Sequence, residues 1–463
     1  MDYRSKYLKY KKKYKELKKG GGILDPINDN LDFFFRFNTD KTGIMTKYNN
    51  FNNLQLIETP MKKMGNASAN GFIFKIKFRN NRGTFDTILK TSIQKSSDNN
   101  YYEYIVGNCI NKFKEYYPNF VYTFNYLNLS ESLKYILYSS QSYSNLPKFI
   151  ADANIKNINI NELQNYFNIG KGCENNNRAS VLIEFIPNSL SINELMTNRN
   201  FISSDFNINI ELFNILFQIY ATLSGLKEVY THYDLHLQNI MFIEIPDGKK
   251  IQIEYKIDKI YTIYTSYIPV ILDYGRSFVD CLKIDNTIYS KIFAEVICNN
   301  PKCNSLKHPQ CSSRDVGVVI DKDATDNYSK QEDFYNINLR NKNESFDLRY
   351  LHNFMLNIPE SLPIKIDYRK YFNKETDWVT RDITGKVKTN YLGKPIINFG
   401  VKENLSDINI SHKISNTTDC FEWLVGLYNT IYNVAPPVPA NIYGVMKINY
   451  NFNEREKWTF EKK

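Results

Sequence analysis

No run of about 18 apolar residues occurs in this 463-residue chain, so the sequence offers no helix able to span a bilayer. Its opening stretch, MDYRSKYLKYKKKYKELKK, lacks the apolar core of a signal peptide, and secretion is not expected. Cysteine is sparse, odd in number at seven, and unevenly spread. That argues against a disulfide scaffold and suits a reducing compartment, with thiols free or metal-held. Alanine is scarce, while Asn makes up roughly an eighth of the chain beside abundant Ile, Lys and Tyr. All four abundant residues have A/T-rich codons, so the bias reads as genomic. No internal repeat is apparent. What is plentiful is core-forming mass: 42% hydrophobic, 15% aromatic, with a mean hydropathy of -0.46. That profile excludes a mostly disordered chain, and the length suits one large two-lobed domain or two ordinary ones.

The net charge of +10 is unevenly placed. Residues 1–22 carry nine basic and two acidic groups, +7 of the total, which leaves +3 for everything after them. Tyr3, Tyr7, Tyr10, Tyr14 and Leu17 form a heptad stripe, and three glycines follow at 20–22. The segment suits an anionic partner, such as nucleic acid or a charged surface, or a partner helix. Equally, so short a helix is marginal alone and reads as a solvated, frayed appendage.

From residue 56 the pattern is strand, small-residue turn, strand. Gly65 and Gly71 bracket Asn66, Ala67, Ser68, Ala69 and Asn70. Small residues let backbone N–H groups approach a phosphate chain, although a plain β-hairpin reads the same way. The next strand, FDTILKTS, carries Lys90. NYYEYIVGNCINKF then places Tyr102, Val106, Cys109, Ile110 and Phe113 on one helical face, with Glu103 in the first turn. A strand Lys and a following helix Glu can pair and fix the Lys against a polyphosphate. VLIEFIPNS is a buried strand entering a linker, with Glu184 and Ile186 at its end.

The most specific pattern comes later. A helix with Phe213, Leu216, Phe217, Tyr220 and Leu223 on one face runs into His232-Tyr233-Asp234-Leu235-His236-Leu237-Gln238-Asn239. After a hairpin-like insertion comes Ile268-Pro269-Val270-Ile271-Leu272-Asp273-Tyr274-Gly275. Asp, then Asn five residues on, a hydrophobic strand and Asp-aromatic-Gly is the layout of a kinase active site. Asp234 suits a group that orients or deprotonates a hydroxyl. Asn239 and Asp273 offer the hard oxygen atoms Mg²⁺ prefers. Gly275 reads as the residue that turns the chain sharply, and His232 as a packing residue of the loop.

THYDLHLQNIM, ILDYGRSFV, YYEYIVGNCINKF and YLKYKKKYKELKKGGG together resemble the eukaryotic-like protein kinase superfamily, most closely serine/threonine kinases of giant DNA viruses. The resemblance covers roughly residues 60–355 and the N-terminal segment. It implies an α+β, bilobal fold with a β-rich N-lobe and a mainly helical C-lobe carrying insertions. The implied division is a basic segment over 1–22, an N-lobe with its extension over 23–190, and a C-lobe over 191–463. It further implies ATP between the lobes, a protein substrate, and a place in the host cytoplasm or the virion. Under it, Gly65, Ser68, Gly71, Lys90, Glu184 and Ile186 hold the nucleotide, Glu103 pairs with Lys90, Asp234 is catalytic, and Asn239 and Asp273 bind Mg²⁺.

Several residues depart from that family. Tyr233 replaces the Arg that often precedes the catalytic Asp, which speaks against control by a phosphorylated activation loop. His236 replaces the usual Lys, and DLHLQN also resembles aminoglycoside and choline phosphotransferases, so a small-molecule kinase is the alternative. Ala67 at the middle glycine position leaves a pseudokinase scaffold open. Asp347, in ESFDLRYLHNFML, matches the residue that braces the catalytic loop. Separately, Cys298, Cys303, His308 and Cys311 form C-x4-C-x4-H-x2-C, a donor set suited to a structural Zn²⁺ or, alternatively, free thiols on a loop. DITGKVKTNYLGKPIINFG reads as an insertion and DCFEWLVGLYNTIYNV as an amphipathic helix that VAPPVPAN stops.

Overall fold

The computed structural model describes residues 30–64, 71–92, 100–129, 141–144, 179–197, 208–275, 277–280, 342–344, 346–348, 416–432 and 438–463, with isolated positions at 137, 139, 317–319, 335–337, 350, 351, 354 and 414. Two helices come first, α1 (Asn30–Phe35) and α2 (Phe37–Lys47). They are short and their sequence has no strong amphipathic stripe. What holds them is the aromatic run Phe33, Phe34, Phe35 and Phe37, all buried. Phe33 meets Phe85 edge-on at 5.4 Å, and Phe51 lies 4.3 Å from Phe124.

Those rings close over one end of a six-stranded antiparallel sheet. Its strands are β1 (Ile57–Met64), β2 (Gly71–Asn80), β3 (Gly83–Ser92), β4 (Thr123–Asn128), β5 (Ser142–Tyr143) and β6 (Ala179–Glu184), in the order β4-β6-β3-β2-β1-β5. In β2, Phe72, Phe74, Ile76 and Phe78 are buried while Lys75 and Lys77 face outward, the two-residue period of a half-buried strand. Helix α3 (Asn100–Phe113) connects β3 to β4 and lies against β4 and β6. A Cβ at Gly107 would sit 2.1 Å from Thr123 Oγ1, so glycine is what allows this close approach.

Beyond the linker come β7 (Ser189–Leu190), α4 (Ile192–Thr197), α5 (Ile208–Gly225), β8 (Tyr230–Thr231), β9 (Ile240–Glu244), β10 (Lys250–Lys256), β11 (Ile260–Thr265), β12 (Tyr267–Ile271), β13 (Phe278–Val279), β14 (Gly317–Val319), β15 (Tyr335–Ile337), α6 (Thr417–Tyr432), β16 (Ile442–Asn449) and β17 (Thr459–Lys462). α5 is buried on all sides from Leu212 to Leu223, where the sequence suggested one buried face. Its polar row accounts for this. Asn214 and Gln218 donate to the carbonyls of Tyr264 and Tyr267 at 3.0 and 3.1 Å, and Thr222 donates to Asn119 Oδ1 at 2.9 Å. Each of these side-chain donors thus finds an acceptor inside the core. α6 packs on α5 through Phe421, whose ring lies 5.1 Å from that of Phe217.

The molecule is mixed α+β with a β-rich N-terminal region. Among the described residues, the part after 190 is not mainly helical. The hairpin inserted between β9 and β12 is β10–β11, and β16 joins it in parallel, giving the sheet β11-β10-β16-β17. β10 leaves an open edge, and β16, buried along most of its length, fills it. No described helix is long and apolar enough to cross a membrane. Cys109 is disulfide-bonded, against the expectation that thiols are free or metal-held, while Cys420 is free and buried.

Candidate active site

β9 and β12 pair antiparallel with Ile240 opposite Ile271, and the Leu272 N–H donates to the Asn239 carbonyl at 2.8 Å. This ladder sets the loop 232–239 beside the turn 272–275. Asn239 Nδ2 donates to the Asp234 carbonyl at 2.8 Å, which leaves Oδ1 as the amide's other polar atom. His232 is fully buried. Its Nδ1 accepts the Asp234 N–H at 3.2 Å, so Nε2 carries the proton and donates to the Leu272 carbonyl at 2.7 Å. Burial pushes the His232 pKa down, consistent with this neutral tautomer.

Lys90 on β3 and Glu103 in the first turn of α3 reach the same place. Lys90 Nζ lies 3.0 and 2.9 Å from the two Glu103 oxygens and 2.7 Å from Asp273 Oδ1. Glu103 is almost fully buried while Asp273 is 36% exposed, so the open side of this triad is the Asp273 side. Lys90, Glu103 and Asp273 therefore converge, and Asp234 and Asn239 join them through the β9–β12 ladder.

Two non-glycine residues here have left-handed backbones, Tyr233 (φ 62°) and Asp273 (φ 61°). Such strain needs surrounding bonds to hold it. For the first loop the holder is Asp347, whose Oδ2 accepts the His232 N–H at 2.7 Å and whose Oδ1 accepts the Tyr233 N–H at 3.0 Å. Tyr233 itself is buried with its ring 4.9 Å from Phe346, so the position before Asp234 is a packing position. At the second turn it is Asp273, not Gly275, that makes the sharp bend. A Cβ at Gly275 would meet Asp273 Oδ1 and Glu103 Oε2 at ordinary distances of 3.5 and 3.8 Å.

Burial raises the Asp347 carboxyl to a pKa of about 7, and the Asp234 charge adds to the rise, while the two N–H donors oppose it. The folded chain therefore holds an extra proton between about pH 4 and that value. The stability this group contributes is full below the window and is lost as pH rises through about 7. Relative to Asp347→Asn, the wild type is expected to lose unfolding free energy from pH 4 to 7, by at most about 1.4 kcal/mol per pH unit. Denaturant unfolding at stepped pH reads this; a constant offset between the two proteins would contradict the assignment.

The Glu184 carboxylate, at a position predicted to hold the nucleotide, is fully buried 2.8 Å from Lys114 Nζ and accepts the Tyr122 N–H at 2.9 Å. Ile186 is buried in the core, and Gly71 begins β2 opposite Ser92. Gly65 and Ser68, with Ala67 between them, lie outside the described residues, as do Cys298, Cys303, His308 and Cys311 and the basic segment 1–22. Lys114 was not legible as functional or structural: a single Lys at the end of a helix looks like a surface charge. Among the described residues no three His, Cys, Asp or Glu side chains gather as a metal cage. Mg²⁺ needs none, since it is usually held by one or two protein oxygens together with phosphates. The Asp273 carboxylate and the Asn239 amide oxygen, on adjacent backbone, are hard donors of the type it takes. A cavity of about 490 Å³ lies elsewhere, between the end of α5 and the β16–β17 connection, and none of these residues lines it.

No family model matches the chain, and no curated protein matches it either.

Proposed function

We propose that this protein is an ATP·Mg²⁺-dependent phosphotransferase of bilobal, protein-kinase-like fold, acting on Ser/Thr hydroxyls of a protein substrate. One observation carries the reading. A strand lysine bridges a helix glutamate and the Asp of an Asp-aromatic-Gly turn, beside a loop in which Asp and Asn stand five residues apart. The order β1-β2-β3-β6-β4 with α3 between β3 and β4 supports it, because a lysine on the third strand and a glutamate on the following helix is the kinase arrangement. The resemblance of its motifs to those of giant-virus serine/threonine kinases supports it too, and carries with it the host cytoplasm or the virion as its place.

In this reading Lys90, oriented by Glu103, binds phosphate oxygens. Asp273 and Asn239 would hold Mg²⁺, which would supply charge neutralisation at the transferring phosphoryl group. Asp234 orients the attacking hydroxyl and accepts its proton, so that the hydroxyl oxygen forms the new P–O bond as the bond to ADP breaks.

The test is Mg·ATP binding by calorimetry together with phosphoryl transfer to a protein panel and to the chain itself. Binding and transfer to Ser/Thr are expected. Binding without turnover favours a pseudokinase scaffold. Labelling of small hydroxyl compounds alone favours a small-molecule kinase, the alternative that His236 raises. Absence of both binding and transfer overturns the reading.

A further inference from the structure

Helix α3 carries Glu103 at its start, and what fixes its other end lies far away in the chain. An α-helix leaves its last carbonyls without internal partners. Beyond Phe113 the Lys114 carbonyl accepts the indole Nε1–H of Trp458 at 2.6 Å. The Glu115 carbonyl accepts both the Trp458 N–H at 3.3 Å and Asn38 Nδ2 at 2.9 Å. Asn38 Nδ2 also donates to the Trp458 carbonyl at 2.8 Å, so α2 and the β16–β17 connection grip the same point. The Glu115 carboxylate lies between Lys457 Nζ at 2.7 Å and Lys41 Nζ at 3.3 Å.

Packing repeats the pattern. Phe452 meets Phe113 at 5.7 Å and Tyr116 at 5.2 Å, both edge-on, and the Arg455 guanidinium covers Phe452 at 4.2 Å. Tyr117 donates to the Tyr450 carbonyl at 2.6 Å. Trp458 is 1% exposed. The same connection is anchored on its own side by β16, which pairs with β10 along seven residues from Lys250 to Lys256. A segment rooted in the second half of the chain thus completes the end of a helix belonging to the first.

We propose that residues 450–458 form a built-in clamp that holds α3 where Glu103 meets Lys90, so that the chain itself sets this ion pair, without a modification or a partner. Asn38, Trp458 and Lys457 are positioning residues in this scheme: they act through α3 and touch no reacting group. The burial of Tyr233 fits, since the loop beside Asp234 offers no cation there for a phosphorylated segment to engage. What the clamp serves rests on the phosphotransferase reading; the clamp itself does not.

The experiment is hydrogen exchange by mass spectrometry on the full chain, comparing wild type with Trp458→Phe, which keeps the ring and removes the Nε1–H donor. Exchange over residues 100–117 is expected to quicken about tenfold, or about 1.4 kcal/mol of local opening, with α5 unchanged. The double variant Asn38→Ala/Lys457→Ala, altered only at partly exposed positions, should do the same if Trp458→Phe folds poorly. Phosphoryl transfer should fall in Trp458→Phe but show no further loss when Glu103→Gln is already present, because the clamp acts through Glu103. Unchanged exchange over 100–117 in these variants overturns the clamp, as does equal quickening in α5, which would mean general destabilisation. A wild type that neither binds Mg·ATP nor transfers phosphate overturns the phosphotransferase reading, while the exchange result still judges the clamp.

Discussion

Asp234→Asn is expected to lower phosphoryl transfer by about 10²- to 10⁴-fold while Mg·ATP binding stays near the wild-type level. The backbone of Asp234 is held on both sides, its N–H by His232 Nδ1 at 3.2 Å and its carbonyl by Asn239 Nδ2 at 2.8 Å. Asn has the same shape, so the loop, its Asp347 brace and the Lys90–Glu103–Asp273 triad remain. What disappears is the basic oxygen that, in the proposed mechanism, accepts the hydroxyl proton. Paired measurements of turnover and calorimetric Mg·ATP affinity separate the two roles. Undiminished turnover in Asp234→Asn would sink the mechanism, and a loss of nucleotide affinity equal to the loss of rate would reassign Asp234 to binding.

The largest effect on stability is expected at Lys114→Met, a loss of about 3–5 kcal/mol in denaturant unfolding. Lys114 and Glu184 are both fully buried. The ammonium lies 2.8 Å from the carboxylate, donates to the Phe120 carbonyl at 2.6 Å, and faces the rings of Phe34 and Phe37 at 4.9 and 5.3 Å. Burial pulls the Lys114 pKa down and Glu184 pulls it up, with burial the stronger. Met fills the space of the alkyl stem but leaves a buried carboxylate without its counter-charge. Adding Glu184→Gln removes that charge and keeps an acceptor for the Tyr122 N–H, so Lys114→Met/Glu184→Gln should be more stable than Lys114→Met alone. The reverse order would show that the pair's charge is not what the site depends on.

The local readings came through because each rests on a period or a short spacing. Alternation in FIFKIKF marks β2, and FDTILKTS and the hydrophobic run before Asp273 mark β3 and β12. Asp234 and Asn239 are five residues apart, and Glu103 opens an amphipathic helix, so their types and order are visible without a fold. α5 was harder. A stripe of aromatics suggested one buried face, but Asn214, Gln218 and Thr222 are buried too, because β11, β12 and Asn119 supply their partners. The partner of the Glu184 carboxylate was hidden for a related reason. A carboxylate at a strand end looks available to a ligand until Lys114, 70 positions away, is seen beside it.

By itself the sequence determined which residues form the short-range elements, the order of the motifs, and the concentration of positive charge in residues 1–22, because these depend only on neighbours along the chain. Tertiary structure supplied the bonds by which Asp347, matched to a bracing role only by resemblance, holds His232 and Tyr233 from 115 and 114 positions away. It also decided that β16 completes the inserted hairpin, that Trp458 closes the end of α3, and that Lys114 and Glu184 neutralise each other in the core. Each of these is a polar or charged group made tolerable by a partner remote in sequence. Burial imposes that requirement, and no residue pattern announces in advance which partner will meet it.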